Sequence, residues 1–106
     1  MRATFRTPIQ GNVHFTARSG PKGAPYDGDG FLHDVSTSGL CFITNSQLTC
    51  GDPIMLDIIS GETRLAFKGE VMHTGESQDG FVVGVRFDIE HPATEESLQM
   101  LAILAS

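Results

Sequence analysis

The chain has 106 residues, 40% of them hydrophobic, and a formal net charge of −6 at pH 7. This length and composition predict one globular domain with its own core and exclude a disordered chain. The negative charge argues against a protein that binds nucleic-acid polymers, because such proteins neutralise many phosphates with lysine and arginine. A small anionic ligand held by two or three local arginines is compatible with this charge.

The sequence shows no secretory signal, and no run of about 18 apolar residues occurs that could span a membrane. We therefore expect a cytoplasmic protein without direct membrane insertion. Cys41 and Cys50 are the only cysteines and do not form a C-x-x-C pair. A reduced thiol within an apolar strand is the favoured interpretation of Cys41, although the two cysteines could form one bridge.

Residues 1–9 have no clear hydrophobic period, and we expect them to form an arm that carries Arg2 and Arg6. Alternating apolar and polar residues then predict six strands. A long loop is expected over 18–30, which holds four glycines and two prolines. The six strands are predicted over 10–17, 31–36, 40–44, 52–58, 64–73 and 81–88. Strands at this spacing indicate an antiparallel barrel or sandwich, and the pattern does not determine their order.

The carboxyl-terminal residues change period and predict a helix over 92–105. Pro92 and the acidic residues after Thr94 are typical of a helix start. The helix carries an apolar stripe that must be buried on the barrel or on a partner. The stripe consists of Leu98, Leu101, Ala102 and Ala105 and is widened by Met100, Ile103 and Leu104.

The hexapeptide from Asp34 to Gly39 joins two apolar strands and has two interpretations. Asp and Ser side chains bond to nearby backbone and Gly adopts positive φ, so the segment could be only a turn. Asp34 and Ser36 are also two residues apart, which places them on one face of an extended chain. That face would suit a small polar ligand, whereas His33 would point to the opposite face.

Arg2 and Arg6 complement Asp34 chemically. A guanidinium pairs with phosphate or with the O6/N7 edge of guanine, and its face stacks on a base. A carboxylate accepts hydrogen bonds from guanine N1–H and N2–H, which arginine cannot do. Taken alone, an R-x-x-x-R pattern is more often a solvated pair of charges.

The motifs Arg2-Ala3-Thr4-Phe5-Arg6 and Asp34-Val35-Ser36-Thr37-Ser38-Gly39 together resemble the R-x-x-x-R and D/N-x-S-x-x-G signatures of PilZ domains. Gly84-Val85-Arg86-Phe87 is similar to the final strand of that family. The resemblance implies a mainly β fold: a six-stranded antiparallel β-barrel with a C-terminal α-helix. It implies one domain over 1–106, with a ligand-binding arm at 1–9, the barrel at 10–89 and the helix at 92–105.

PilZ domains bind the bacterial second messenger cyclic di-GMP, so the resemblance also implies a ligand. Arg2 and Arg6 would hold guanine and phosphate, Asp34 and Ser36 would bond a guanine, and Gly39 would allow close backbone approach. The implied function is a receptor that changes conformation on binding and regulates a partner protein. The alternative is a PilZ-like adaptor that binds no nucleotide and uses the helix stripe.

We expect neither catalytic activity nor a cofactor other than the ligand. The sequence contains no nucleophile with a recognisable base and no Walker-type or Rossmann glycine pattern. The spacing of the four histidines, His14, His33, His73 and His91, does not suit a metal site. Either a monomer or a homodimer is compatible with the sequence.

Overall fold

The structure, a computed structural model, describes residues 10–19 and 23–105, with side chains as far as residue 102. The described elements are β1 (Asn12–Arg18), β2 (Pro25–Val35), β3 (Gly39–Thr44), β4 (Pro53–Ser60), β5 (Thr63–Ser77), β6 (Gly80–Phe87) and α1 (Pro92–Ala105). The strands pair antiparallel in the order β1-β2-β3-β6-β5-β4 and close into a barrel. This architecture confirms the predicted fold class. The predicted arm, with Arg2 and Arg6, lies outside the described residues.

The core fills the barrel because alternate residues of each strand point inward. In β1 the buried residues are Val13, Phe15 and Ala17, and β4 and residues 63–71 of β5 follow the same period-two pattern. Phe67 and Phe87 stack at a centroid distance of 4.3 Å. Cys41 and Cys50 form no disulfide with each other.

The second half of the predicted loop is strand instead, because β2 begins at Pro25. Pro25 is tolerated as the first residue of a strand, where no ladder hydrogen bond is lost. Gly28 pairs with Phe15 of β1, and a Cβ on Gly28 would stand 2.7 Å from Phe15 Cζ. Gly28 therefore makes room for the Phe15 ring inside the barrel, and its presence does not mark a loop.

Two hydroxyl groups attach α1 to β5. Thr94 Oγ1 accepts a hydrogen bond from Lys68 N at 2.9 Å and donates one to Lys68 O at 3.2 Å. Ser97 Oγ accepts from Ala66 N at 2.8 Å and donates to Ala66 O at 2.6 Å. The β5–β6 ladder runs from Gly69 onward, so Ala66 and Lys68 precede its first pair. The helix thus supplies hydrogen bonds that a neighbouring strand would otherwise make, although Lys68 O also accepts one from Asp88 N at 2.8 Å.

These bonds also determine which face of α1 is buried. Thr94 and Ser97 are buried together with Leu101, and Leu98 packs against the core. Ala102 and Met100 are exposed, so the barrel does not bury these two members of the predicted stripe, and their burial on a partner stays a prediction. The buried face differs from the predicted stripe because the first two turns of α1 direct the hydroxyl groups of Thr94 and Ser97 toward β5. Within the described part of the chain, no helix is long and apolar enough to cross a membrane.

Candidate functional site

The turn between β2 and β3 is held together by the hydroxyl of Ser36. Ser36 Oγ donates to the carbonyl oxygen of Gly39 at 3.2 Å and accepts from Ser38 N at 3.3 Å. Ser36 N also donates to Gly39 O at 2.8 Å. Ser36 is only 4% exposed. Its hydroxyl therefore stabilises the turn, as the simple turn interpretation predicts.

Gly39 is needed where β3 meets β6. It pairs with Arg86, and a Cβ at this position would collide with the carbonyl oxygen of Val85. Gly39 is not among the glycines of the described chain that have positive φ. The glycine therefore permits close approach of two strands, and the positive φ that the turn interpretation expects does not occur here.

A β-bulge turns His33 and Asp34 toward the same surface. Leu32 pairs with Phe42 and Asp34 with Cys41, so His33 is one extra residue in β2. His33 Nδ1 lies 3.0 Å from Asp34 Oδ2, a hydrogen bond when Nδ1 carries the proton. The prediction that these side chains point to opposite faces is wrong, because a bulge breaks the alternation of a regular strand.

A second bulge lies in the same region on β5. Val71 pairs with Val85 and His73 with Gly84, so Met72 is the extra residue there. Cys41 of β3 pairs with Gly84 of β6, which completes a row across four strands. Asp34 stands at one end of this row and His73 at the other, about 14 Å apart for three strand spacings. Bulges of this kind re-aim side chains beside binding sites.

A surface cavity of about 420 Å³ lies over this row. It combines an acceptor, the Asp34 carboxylate, with a donor, the Arg86 guanidinium. The Arg86 side chain is 63% exposed, and its Nη2 lies 3.7 Å from Glu70 Oε1. The cavity is lined by His33, Asp34, Ser38, Gly39, Leu40, Cys41, Met72, His73, Gly84, Val85 and Arg86.

The lining suits a planar, partly anionic ligand. Asp34 can accept from an N–H edge, Arg86 can pair with an anion, and the imidazole rings offer faces for stacking. In the residues that the structure describes, no group of three or more His, Cys, Asp or Glu side chains could hold a metal ion. These features indicate a binding site for a small organic anion.

The structure brings some predicted residues to the cavity and adds others. Asp34 and Gly39 line it, the buried Ser36 is not among its lining residues, and Arg2 and Arg6 fall outside the described residues. Sequence reasoning missed three lining residues from β5 and β6: Met72, His73 and Arg86. The alternation of Val85, Arg86 and Phe87 marks Arg86 as outward-facing, but only strand pairing brings it to this row.

The family model of the PilZ domain matches residues 1–103. The chain belongs to the PilZ domain family. A comparison with curated proteins found no significant sequence match. The matched residues include both sequence motifs and the whole described barrel.

Solved structures share the fold at low sequence identity. The PilZ domain with c-di-GMP of YcgR from Escherichia coli is 15% identical, with a TM-score of 0.69 over 94% of this chain and 87% of that chain. The PilZ domain of CeSA from a cellulose-synthesizing bacterium is 17% identical, with a TM-score of 0.66 over 92% and 93% of the two chains. The Bacillus subtilis inhibitor of motility, MotI/DgrA, is 13% identical, with a TM-score of 0.63 over 94% of this chain. This chain spans about half of that protein, 49% of its length.

Proposed function

We propose that the chain is a receptor module for cyclic di-GMP. The observation that carries the proposal is the position of Asp34, which a bulge directs into a cavity bounded by the Gly39 turn. Membership of the PilZ family supports it, as does the shared fold with the E. coli YcgR domain whose structure was solved with c-di-GMP.

Each motif residue has a physical role in this proposal. The Asp34 carboxylate accepts from guanine N1–H and N2–H, and Arg2 and Arg6 pair with phosphate and with guanine O6/N7. Ser36 acts indirectly, because its hydroxyl holds the turn that positions the site. Gly39 lets that turn sit close to β6. Arg86 of β6 adds a third arginine to the site.

Binding would draw the amino-terminal arginines toward the barrel and change the surface offered to a partner protein. The module would act in the cytoplasm as a switch, with no catalytic step of its own. The alternative is an adaptor that binds no nucleotide and contacts its partner through Leu98, Leu101 and Ile103. Leu101 is only 7% exposed and Leu98 packs on the core, so the barrel itself already uses two of these side chains.

Calorimetric titration with cyclic di-GMP tests the proposal. We expect binding by the natural chain and a loss of affinity of about 5- to 150-fold in Asp34→Asn, since a bidentate contact to a base contributes about 1–3 kcal/mol. We expect a similar loss in Arg6→Ala. Absence of binding by the natural chain, or equal affinity in both variants, would contradict the proposal.

Two controls separate guanine recognition from general charge effects. Glu96→Gln removes the same charge as Asp34→Asn from an exposed site on α1. We expect it to bind cyclic di-GMP like the natural chain. Cyclic di-AMP has the same charge and phosphate ring but lacks the N1–H and N2–H donors of guanine, and we expect it not to bind.

A further inference from the structure

An apolar row crosses the outside of the barrel, away from the interior core. Phe31 pairs with Asn12 on one side and Ile43 on the other, Asn12 pairs with Ile59, and Ile43 pairs with Val82. Phe31 is 68% exposed and Ile59 43% exposed. Ile43 and Val82 are half-buried. The row spans four strand spacings, about 19 Å.

An acidic row runs parallel to the apolar row, two residues further along β1. His14 pairs with Asp29 and with Asp57, and its Nδ1 lies 2.9 Å from Asp29 Oδ1. The hydrogen bond to Asp29 raises the pKa of His14, and the charges of Asp29, Asp27 and Asp57 act in the same direction. A single imidazole, that of His14, therefore lies among several carboxylates, so the row carries a net negative charge.

The two rows, apart from Val82, line one groove of about 460 Å³, which we call the acidic groove. Asp79, on the β5–β6 turn, adds a further carboxylate to its wall. Among the described residues that line the groove, none is Lys or Arg. A surface that combines exposed apolar side chains with carboxylates is complementary to a segment that carries arginine beside large apolar residues.

The chain itself contains such a segment. Residues 1–9 read Met-Arg-Ala-Thr-Phe-Arg-Thr-Pro-Ile, with two arginines, several apolar side chains and no acidic residue. They lead directly into Gln10 and Gly11, whose carbonyl oxygens accept hydrogen bonds from Ser60 Oγ at 2.7 Å and Leu32 N at 2.9 Å. Asn12, the next residue, already belongs to the row that contains Phe31 and Ile59. Nine extended residues reach about 30 Å, more than the length of the apolar row.

We propose that, without nucleotide, residues 1–9 of the same chain lie in the acidic groove, with Arg2 and Arg6 against Asp29 and Asp57 and Phe5 against Phe31. One consequence rests on the proposed function: Arg2 and Arg6 cannot bind the groove and cyclic di-GMP at the same time. Nucleotide binding then withdraws the segment and uncovers Phe31 and Ile59, which become the surface that a downstream partner contacts. The groove thereby sets both the apparent affinity for the ligand and the output signal.

The test uses the full chain labelled with ¹⁵N, without nucleotide. Substituting Arg2, Phe5 and Arg6 together by Ser should shift the amide resonances of His14, Phe31, Asp57 and Ile59. Shifts confined to residues 10–12 would overturn the proposal. Shifts in the natural chain that depend on protein concentration would place the segment on a second copy, and would overturn it too.

A second measurement tests whether the acidic groove and cyclic di-GMP compete for residues 1–9. The double variant Asp29→Asn/Asp57→Asn should bind cyclic di-GMP at least about threefold more tightly, because fewer molecules have the segment held in the groove. The matched control Glu90→Gln/Glu96→Gln loses the same charge at exposed positions beside α1 and should not show this gain. Equal gains in both double variants would overturn the proposed competition. If no variant binds the nucleotide, the receptor function fails, whereas the nucleotide-free spectra still decide whether the segment occupies the groove.

Discussion

The imidazole ring of His73 occupies the space above Gly84 in which any other residue would place its Cβ. The two residues are paired across β5 and β6, beside the bulge at Met72. Because Gly84 has no side chain, the His73 ring can cover the floor of the cavity that contains Asp34. The shape of the candidate binding site therefore depends on a residue without functional groups.

The two close-packed glycines should respond differently to a methyl group. At Gly84 the obstacle is an exposed side chain that can rotate, so we expect Gly84→Ala to change the free energy of unfolding by less than about 1 kcal/mol. At Gly39 the obstacle is the Val85 carbonyl of the neighbouring strand, which cannot rotate away. We expect Gly39→Ala to destabilise the barrel by about 1–3 kcal/mol in urea denaturation.

Gly75→Ala provides the control for these substitutions, since nothing lies within 4 Å of a Cβ at Gly75. Its effect should stay within about 0.5 kcal/mol. Gly84→Ala should also displace the His73 ring, which its NMR resonances would report. Equal destabilisation by Gly84→Ala and Gly39→Ala would contradict this account of the two contacts.

The hydroxyl of Thr94 should contribute strongly to stability. Thr94 is fully buried, and Thr94→Val keeps its shape while leaving Lys68 N–H without this partner; Lys68 O keeps its bond from Asp88 N. We expect a loss of about 1–3 kcal/mol in the free energy of unfolding, measured by urea denaturation. Thr94→Ser keeps the hydroxyl and should lose clearly less. If Thr94→Ser and Thr94→Val are equally destabilised, the hydrogen bonds do not explain the effect.

Tyr26 should ionise at unusually high pH. Burial, followed by its hydrogen bond to Asp52 Oδ2 at 3.0 Å, raises the pKa of Tyr26 to about 12. The chain contains one tyrosine and no tryptophan, so ultraviolet absorbance follows this ionisation alone. Since the folded state favours the protonated phenol, its contribution to stability is complete below pH 10 and is lost between pH 10 and 12.

Substitution of the acceptor checks the cause of that shift. Asp52→Asn keeps a hydrogen-bond acceptor but removes the negative charge, and we expect the absorbance midpoint of Tyr26 to fall. The chain unfolded in urea should titrate near the ordinary tyrosine value of about 10. A midpoint near 10 in the folded natural chain would show that Tyr26 is not held by Asp52.

Much of the barrel can be predicted from period-two alternation, because β1, β4 and residues 63–71 of β5 each bury every second residue. The start of β2 cannot be predicted in this way. Gly28 is required there because the ring of Phe15 on β1 fills the space of a side chain, and this is a contact between different strands. The bulge at His33 cannot be predicted either, because no particular residue type marks the extra residue of a bulge. For this reason the local motif identifies Asp34, whereas the remaining cavity walls require long-range pairing.

The bonds that Thr94 and Ser97 make to β5 have a consequence for the behaviour of the protein in solution. If α1 detached, the amide and carbonyl of Ala66 and the amide of Lys68 would form an open sheet edge that can accept a foreign strand, whereas Lys68 O would keep its bond from Asp88 N. A binding partner that lifted the helix could dock there by β-augmentation. Loss of the helix by proteolysis would instead leave a template for aggregation, so α1 protects the barrel from self-association.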